Sequence, residues 1–193
     1  MAAGFDAPSA DLVAGAMRDA DPAVRARAHG AAHRLGTRRV ADRVRALGDE
    51  STLVRLRGCE LEARYPSPSV RVRAALVGLL GDDEPLVVVA ALGALGEIGS
   101  ESCVAAISSV AAAHPDARCR EAAVAALGSL GEPAGLDAVL GALSDKPAIR
   151  RRATVALAAF EGPRVESALA ASLEDRDWQV RQAAEALRPS GRS

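Results

Sequence analysis

An arginine recurs through the chain about every thirty residues, and this period constrains the fold more than any other feature of the sequence. The recurrent position is filled by Arg25, Arg55, Arg120, Arg150 and Arg181, and once by Val88. With Val88 included, the successive spacings are 30, 33, 32, 30 and 31 residues. A fixed period of this length is typical of arrays in which one small structural unit is copied and stacked.

Apolar and small residues keep constant offsets from this recurrent position. The residue before it, offset −1, is always apolar. The residue at offset +3 is always small, namely Ala28, Gly58, Ala91, Ala123, Ala153 or Ala184. Further apolar residues stand at +6 and +10, so the pattern follows one face of an α-helix. The small residues at +3 indicate that a second helix approaches this face closely.

Each of these helices has a start signal, an end signal and a preceding helical partner. The residue before the helix is Asp or Ser in four units, Pro is the first helical residue in three units, and Gly follows the helix in four units. The preceding amphipathic stretches are predicted at 9–19, 37–48, 67–81, 100–113, 132–144 and 163–174. Because one helical hairpin cannot bury its own apolar face, the hairpins are expected to stack.

The sequence therefore predicts an all-α fold, a right-handed α-solenoid of about six helical hairpins. One domain is expected over 9–188, with disordered segments at 1–8 and 189–193. The predicted units are 9–36, 37–66, 67–99, 100–131, 132–162 and 163–188. Tyr65 and Phe160 are expected in the core.

The composition fits helices that pack through small side chains. The chain is 49% hydrophobic but only 2% aromatic, so Ala, Leu and Val are expected to build the core. A net charge of −1 provides no overall field to attract nucleic acid or an anionic membrane, and we expect no membrane partner. Three separated cysteines indicate reduced thiols in a cytoplasmic protein.

The charge is uneven along the chain. Residues 1–75 hold 13 arginines and 9 acids, whereas residues 76–193 hold 11 basic and 16 acidic residues. Different partners at the two ends would explain this asymmetry, but random drift of surface charge is the simpler explanation.

The phrase D-P-x-V-R, followed by small residues and L-G, resembles the HEAT-repeat family, and especially the short bacterial repeats first noticed in phycobilisome lyases. Residues 21–36, 114–131 and 145–162 carry the resemblance best. It implies an armadillo-like helical scaffold, and a ladder of ion pairs between turn acids and helix arginines. The implied ladder residues are Asp21, Arg25, Arg55, Asp116, Arg120, Arg150, Asp177 and Arg181. Glu84 and Val88 depart from the pattern, so we expect the ladder to be broken there.

The resemblance implies a non-catalytic scaffold or adaptor that binds a protein or peptide along the concave face formed by the second helix of each repeat. Positions +1, +4, +5 and +8 lie opposite the expected buried stripe. The candidate partner-binding residues at these offsets are Leu56, Glu60, Val89, Leu92, Glu121, Arg151 and Val155. Apolar residues here favour a groove for a partner helix or peptide, although drift in an alanine-rich sequence would also place them here.

Two other functions stay open. The resemblance alone implies a phycobilin-lyase-like enzyme, or a lyase subunit that handles a tetrapyrrole. DNA binding through the arginine-rich first three repeats would use Arg27, Arg38, Arg39, Arg43, Arg45 and Arg57. Acids intersperse these arginines, so nucleic acid is not the expected partner. The familiar enzyme motifs are missing, and we predict that the chain is not an enzyme.

One constellation has side chains that can ligate a metal ion. His29 and His33 are four residues apart, and Cys59 occupies the same column as His29 one unit along, with Glu60 beside it. Imidazole, thiolate and carboxylate all bind zinc. H-x-x-x-H is not specific, however, and solvent-facing histidines beside a half-buried thiol are the simpler interpretation. We expect no metal and no cofactor.

Overall fold

A computed structural model describes residues 7–64 and 69–188, and within these it has twelve α-helices and no strand. The helices are α1 (Ala7–Ala16), α2 (Pro22–Arg34), α3 (Val40–Leu47), α4 (Thr52–Glu62), α5 (Val70–Gly78), α6 (Pro85–Ile98), α7 (Val104–Ala113), α8 (Ala117–Leu130), α9 (Leu136–Ala142), α10 (Pro147–Ala156), α11 (Pro163–Leu173) and α12 (Trp178–Ala186). Successive helices pack as six hairpins, α1 with α2 through to α11 with α12. The prediction of an all-α fold built from about six stacked hairpins is confirmed.

The helices belong to two compact units, Met1–Ile98 and Gly99–Ser193. In the first unit, α4 contacts both α2 and α6. In the second unit, α10 contacts both α8 and α12. Within each unit, the second helices of three successive hairpins therefore form one layer. Hairpins of a repeat array contact mainly their neighbours, which is why the predicted single domain of 9–188 can divide in this way.

Side-chain caps and glycines set the ends of the second helices. Asp21 accepts a hydrogen bond from the N–H of Ala23 at 2.7 Å, and Asp116 and Asp177 cap α8 and α12 in the same way. These carboxylates satisfy N–H groups that have no partner within the helix. Gly131 ends α8 with φ of +63°, a conformation that favours glycine.

Small residues in the second helices allow close contact with neighbouring helices. The predicted column at +3 is buried in all six hairpins. A Cβ on Gly58 would lie 3.1 Å from the Leu47 side chain, and a Cβ on Gly128 would lie 2.8 Å from the Cβ of Ala156. The helices are thus close enough that a larger residue requires a neighbour to move.

Helix boundaries differ from the predictions by up to four residues. Helix α1 begins at Ala7, two residues before the predicted start, because Pro8 is tolerated in a first turn. Helices α7 and α9 begin four residues late, since 3-10 segments at Glu101–Cys103 and Pro133–Gly135 precede them. Tyr65, residues 1–6 and the predicted tail at 189–193 lie outside the described residues.

Candidate partner-binding surface

A ladder of arginine–aspartate pairs links the second helices. Nη2 of Arg25 lies 2.7 Å from Oδ1 of Asp49, and Nε of Arg25 lies 3.0 Å from Oδ2. The same two-point pairing joins Arg55 to Asp82, Arg120 to Asp145 and Arg150 to Asp175. Such bidentate pairs fix the orientation of both side chains. Nη1 of each ladder arginine donates to one or two carbonyls of the turn before its own helix, as Arg25 does to Asp19 and Ala20.

The turn acids predicted for this ladder are not its partners. Asp21, Asp116 and Asp177 cap the helices that they precede, and Asp116 also pairs with the side chain of Arg118. The ladder acids instead follow their arginines by 24 to 27 residues, in the turn of the next hairpin. The missed residues had a sequence signal, because Asp49, Asp82, Asp145 and Asp175 each stand one or two residues before a helix cap. Val88 is fully buried and contributes no pair.

Two ladder acids of the second unit have lowered pKa values. Hydrogen bonds from Arg150 lower the pKa of Asp175 to about 2. Hydrogen bonds from Arg120 likewise lower the pKa of Asp145. Because these groups are engaged with one another, the ladder holds the second helices in register and leaves ligand binding to other side chains.

The first unit has a groove of about 580 Å³ between α2 and α4. Its lining residues are Ala23, Ala26, Arg27, Arg34, Leu53, Leu56, Arg57 and Glu60. Leu53 is 49% exposed and Leu56 is half-buried. Arg27 and Arg34 are exposed, whereas Arg57 lies 2.8 Å from the carboxylate of Glu60. The alanines and leucines make the groove apolar. Its three guanidinium groups outnumber the single carboxylate, so the groove is also positively charged.

The second unit has a similar surface on its own second helices. A groove of about 460 Å³ between α10 and α12 is lined by Arg151, Arg152, Val155, Gln179, Gln182, Ala183 and Ala186. A neighbouring groove of about 390 Å³ between α8 and α10 shares Arg152 and Val155. Val155 is 46% exposed. Exposed apolar groups beside arginine therefore occur in both units.

The structure distributes the predicted partner-binding residues among several environments. Leu56 and Glu60 line the groove of the first unit, and Arg151 and Val155 line that of the second. Glu121 is half-buried, 3.8 Å from Nε of Arg152. Val89 is half-buried on α6 and lines none of the grooves described above.

Leu92 is a core residue, and its prediction as a partner-binding residue is wrong. In five hairpins the column at +4 is filled by His29, Cys59, Leu92, Val124 and Thr154, all at most 1% exposed, whereas Glu185 of the last hairpin is exposed. This column lies one turn from the recurrent position, which itself faces the next hairpin through the ladder. The solvent-facing column at −2 was missed, although Leu53 and Leu86 stand out there beside small and polar residues.

The four candidate metal ligands do not form a metal site. His29 is 1% exposed, and burial lowers its pKa to about 4. Cys59 is fully buried, and burial raises its pKa to about 12, so it stays a thiol. His33 is half-buried, whereas Glu60 is exposed and pairs with Arg57. Within residues 7–64 and 69–188, no three His, Cys, Asp or Glu side chains are grouped to hold a metal ion.

The arginines considered for DNA binding are largely neutralised by carboxylates. Arg38 and Arg43 are buried, and both form ion pairs with the fully buried Glu62. Arg45 pairs with Asp42, and Arg57 with Glu60. Of the six arginines considered for this role, Arg27 and Arg39 are exposed and form no such pair with a residue of 7–64 or 69–188. The predicted cluster is therefore not a continuous phosphate-binding surface.

The buried Arg38–Glu62–Arg43 group was missed from the sequence, although a signal was present. Glu62 stands at offset +7, where four of the other five hairpins place Ala32, Leu95, Leu127 and Leu157 in the core. A carboxylate in an apolar column requires a buried cation as its partner.

Comparison with known proteins identifies the repeat. A family model described as HEAT repeats matches residues 104–188. A search of curated proteins finds no significant match. In the part of the chain that the structure describes, no helix is long and apolar enough to cross a bilayer.

Solved structures with a similar fold are repeat proteins at low sequence identity. An engineered protein from the Northeast Structural Genomics Consortium is 18% identical, with a TM-score of 0.63 over 92% of this chain and 96% of that chain. A designed armadillo repeat protein is 16% identical, with a TM-score of 0.61 over 91% and 97%. Another designed armadillo repeat protein, in complex with the peptide (KR)4, is 16% identical, with a TM-score of 0.58 over 93% and 90%.

Proposed function

The chain is a HEAT-repeat protein, and from this premise we propose that it is a non-catalytic adaptor that binds an acidic, leucine-containing segment of a protein partner. The groove between α2 and α4 carries this proposal, because the exposed Leu53 lies there with the exposed guanidinium groups of Arg27 and Arg34. A groove that combines apolar area with a few charged groups suits an extended or helical peptide.

The apolar residues of the groove supply area for binding. Leu53 is 49% exposed on a helix whose other face is in the core. Full burial of an exposed leucine side chain against a partner is favourable by roughly 1.5–3 kcal/mol relative to leaving it in water. Because the ladder pairs Arg25–Asp49 and Arg55–Asp82 hold both helices, little ordering of the groove is needed on binding.

The charge of the groove favours an acidic partner. Among the solved structures of similar fold, a designed armadillo repeat protein is in complex with the basic peptide (KR)4. In this chain the groove has three arginines and one glutamate. We therefore expect the opposite preference, for a peptide in which Asp or Glu flanks apolar residues.

Support for a non-catalytic function comes from the buried titratable groups. His29, with a pKa of about 4, is too weak a base for proton transfer near neutral pH. Cys59, with a pKa of about 12, holds too little thiolate to act as a nucleophile.

The test uses two labelled peptides, one in which Glu pairs flank single Leu residues and one with Lys in place of Glu. Fluorescence anisotropy should show binding of the Glu peptide and not of the Lys peptide. L53E should weaken binding by about tenfold or more, as a charge replaces an apolar contact. V70E is the matched control, because Val70 is also exposed apolar surface, at 71%, but lies on α5, the first helix of its hairpin.

Two results would contradict the proposal. Equal binding of both peptides would remove the charge argument, and unchanged binding by L53E would remove the groove. A labelled DNA duplex serves as the competing ligand. Tight, strongly salt-dependent binding of the duplex with no binding of the Glu peptide would replace the proposed function with nucleic-acid binding.

A further inference from the structure

Arg181 and Asp19 are each one half of a ladder pair. Nη1 of Arg181 donates to the carbonyl of Asp175 at 2.6 Å, as the other ladder arginines do to their own turns. Within the described ranges, however, Arg181 forms no ion pair with a carboxylate. Asp19 accepts the N–H of Asp21 at 2.8 Å, and Asp49 accepts that of Ser51 in the same way. Among the described residues, Asp19 forms no ion pair with an arginine.

The local geometry of both residues matches that of the completed pairs. In the pair Arg150–Asp175, the aspartate likewise accepts the N–H of a residue two positions later, while two of its oxygens receive Arg150. Asp19 therefore has its carboxylate oriented by its turn, with acceptor positions left for a guanidinium group. Arg181 has Nε and Nη2 left to donate to a carboxylate.

Apolar surface accompanies each of these half pairs. On the same hairpin as Arg181, a groove of about 210 Å³ between α11 and α12 is lined mainly by apolar side chains. Those side chains are Leu169, Ala170, Leu173, Ala184 and Leu187. On α1, Leu12 is 75% exposed.

Leu12 lies in a column that later hairpins cover. It stands seven residues before its turn aspartate, Asp19. The residues seven before Asp49, Asp82, Asp145 and Asp175 are Asp42, Ala75, Ala138 and Ala168. Asp42 is buried and the three alanines are half-buried. An exposed leucine in this column is the group that an apolar groove between two helices would accept.

We propose that a second copy of this chain docks head to tail, with Asp19 and Leu12 of one copy against Arg181 and the α11–α12 groove of the other. The new junction repeats the bidentate pairing already present four times within the chain. Because the two surfaces are different, the contact is heterologous, and each added copy presents a further free surface. This inference does not depend on the proposed peptide groove, whose residues are elsewhere on α2 and α4.

Charge reversal tests the junction in the full-length chain. D19R places two arginines at the junction, and R181D places two aspartates there, so each variant alone should lose association. Sedimentation velocity over a wide range of concentration should show wild-type assemblies larger than a monomer, and monomers for either variant. The fraction assembled should fall at high salt.

Mixing the two variants gives the decisive result. In an equimolar mixture, the reversed head of D19R meets the reversed tail of R181D, and the unreversed head and tail of the two proteins also match. Association should therefore return in the mixture. R176D is the matched control, because Arg176 is an exposed arginine that forms no ladder pair, and it should assemble like the wild type.

A monomeric wild-type chain at every concentration would overturn the proposal. So would assembly of D19R or R181D alone at the wild-type level, or a mixture that stays monomeric while both variants keep wild-type helix content by circular dichroism. The single tryptophan, Trp178, lies in the same helix as Arg181 and is 62% exposed. A concentration-dependent change of its fluorescence should accompany assembly, and R181D should remove that change.

Discussion

Arg38 and Glu62 form an ion pair in the interior of the first unit, with Nη1 of Arg38 at 3.1 Å from Oε1 of Glu62 and both side chains fully buried. Arg43 from α3 binds the other carboxylate oxygen of Glu62. Removing charges from water is costly, and the mutual attraction of a buried group offsets this cost only while every partner is present. The hairpin of α3 and α4 therefore depends on a complete set of three charged groups.

Replacement of Glu62 by Gln should strongly destabilise the protein. The substitution leaves two buried arginines without a carboxylate, and breaking a buried pair costs about 3–5 kcal/mol. Urea unfolding followed by circular dichroism measures the change. Glu60 is exposed, so E60Q should change the free energy of unfolding by less than about 0.5 kcal/mol. Equal stabilities of E62Q and E60Q would show that the buried group is not needed.

Leu92 and Val89 should respond very differently to truncation. Leu92 is fully buried, so L92A should lower the free energy of unfolding by about 2–5 kcal/mol. Val89 stands three residues before Leu92 on α6 but is only half-buried, so V89A should cost less than half as much as L92A. Thermal unfolding of both variants provides the comparison. Similar losses would mean that the +4 column is not the core column of the second helices.

The repeat period, the helix caps and the small +3 column were predictable because each depends on a local pattern. Asp21 and Asp116 cap helices through residues two positions away. The stacking of the hairpins follows from the repeat period, because a single hairpin leaves its apolar face exposed to water. These features decide the fold class without knowledge of any long-range contact.

The ladder partners and the binding surface were less predictable, because they depend on how each helix is rotated about its axis. The second helices are rotated about their axes relative to the prediction. Leu92, predicted on the surface, therefore lies in the core, and Leu53, not predicted as a surface residue, is exposed. Asp49 pairs with Arg25 across 24 positions, and only the path of the intervening turn brings them together. A charged residue in an apolar column, such as Glu62, was the available signal for the buried ion pairs.

Loss of a ladder acid should destabilise the protein in a pH-dependent way. The D175N variant removes the carboxylate that Arg150 binds, and hydrogen bonds to charged groups contribute roughly 1.5–3 kcal/mol. The folded pKa of Asp175, about 2, is below its unfolded value of about 3.9. The wild-type advantage is therefore fully present above pH 4 and is lost as the pH falls towards 2.

Urea unfolding of wild type and D175N at a series of pH values measures this advantage. D137N is the control, because Asp137 pairs with Arg164 on the surface and both side chains are largely exposed. Such a pair is worth about 0–1 kcal/mol. A constant difference between wild type and D175N down to pH 2 would contradict the ladder argument.

His29 should make the protein sensitive to mild acid. Its pKa is lowered to about 4 by burial and secondarily by the charge of Arg38, whereas an unfolded histidine titrates near 6.5. The unfolded chain therefore takes up a proton first, and the stabilising contribution, present above about pH 6.5, is lost as the pH falls to about 4. From this difference the loss amounts to as much as ~3 kcal/mol. The H29L variant places an apolar side chain of similar size, which cannot take up a proton, in the buried +4 column. This part of the acid dependence should therefore disappear in H29L. Chemical denaturation of both proteins between pH 7 and pH 4 is the measurement, and parallel stability curves would show that His29 does not cause the acid sensitivity.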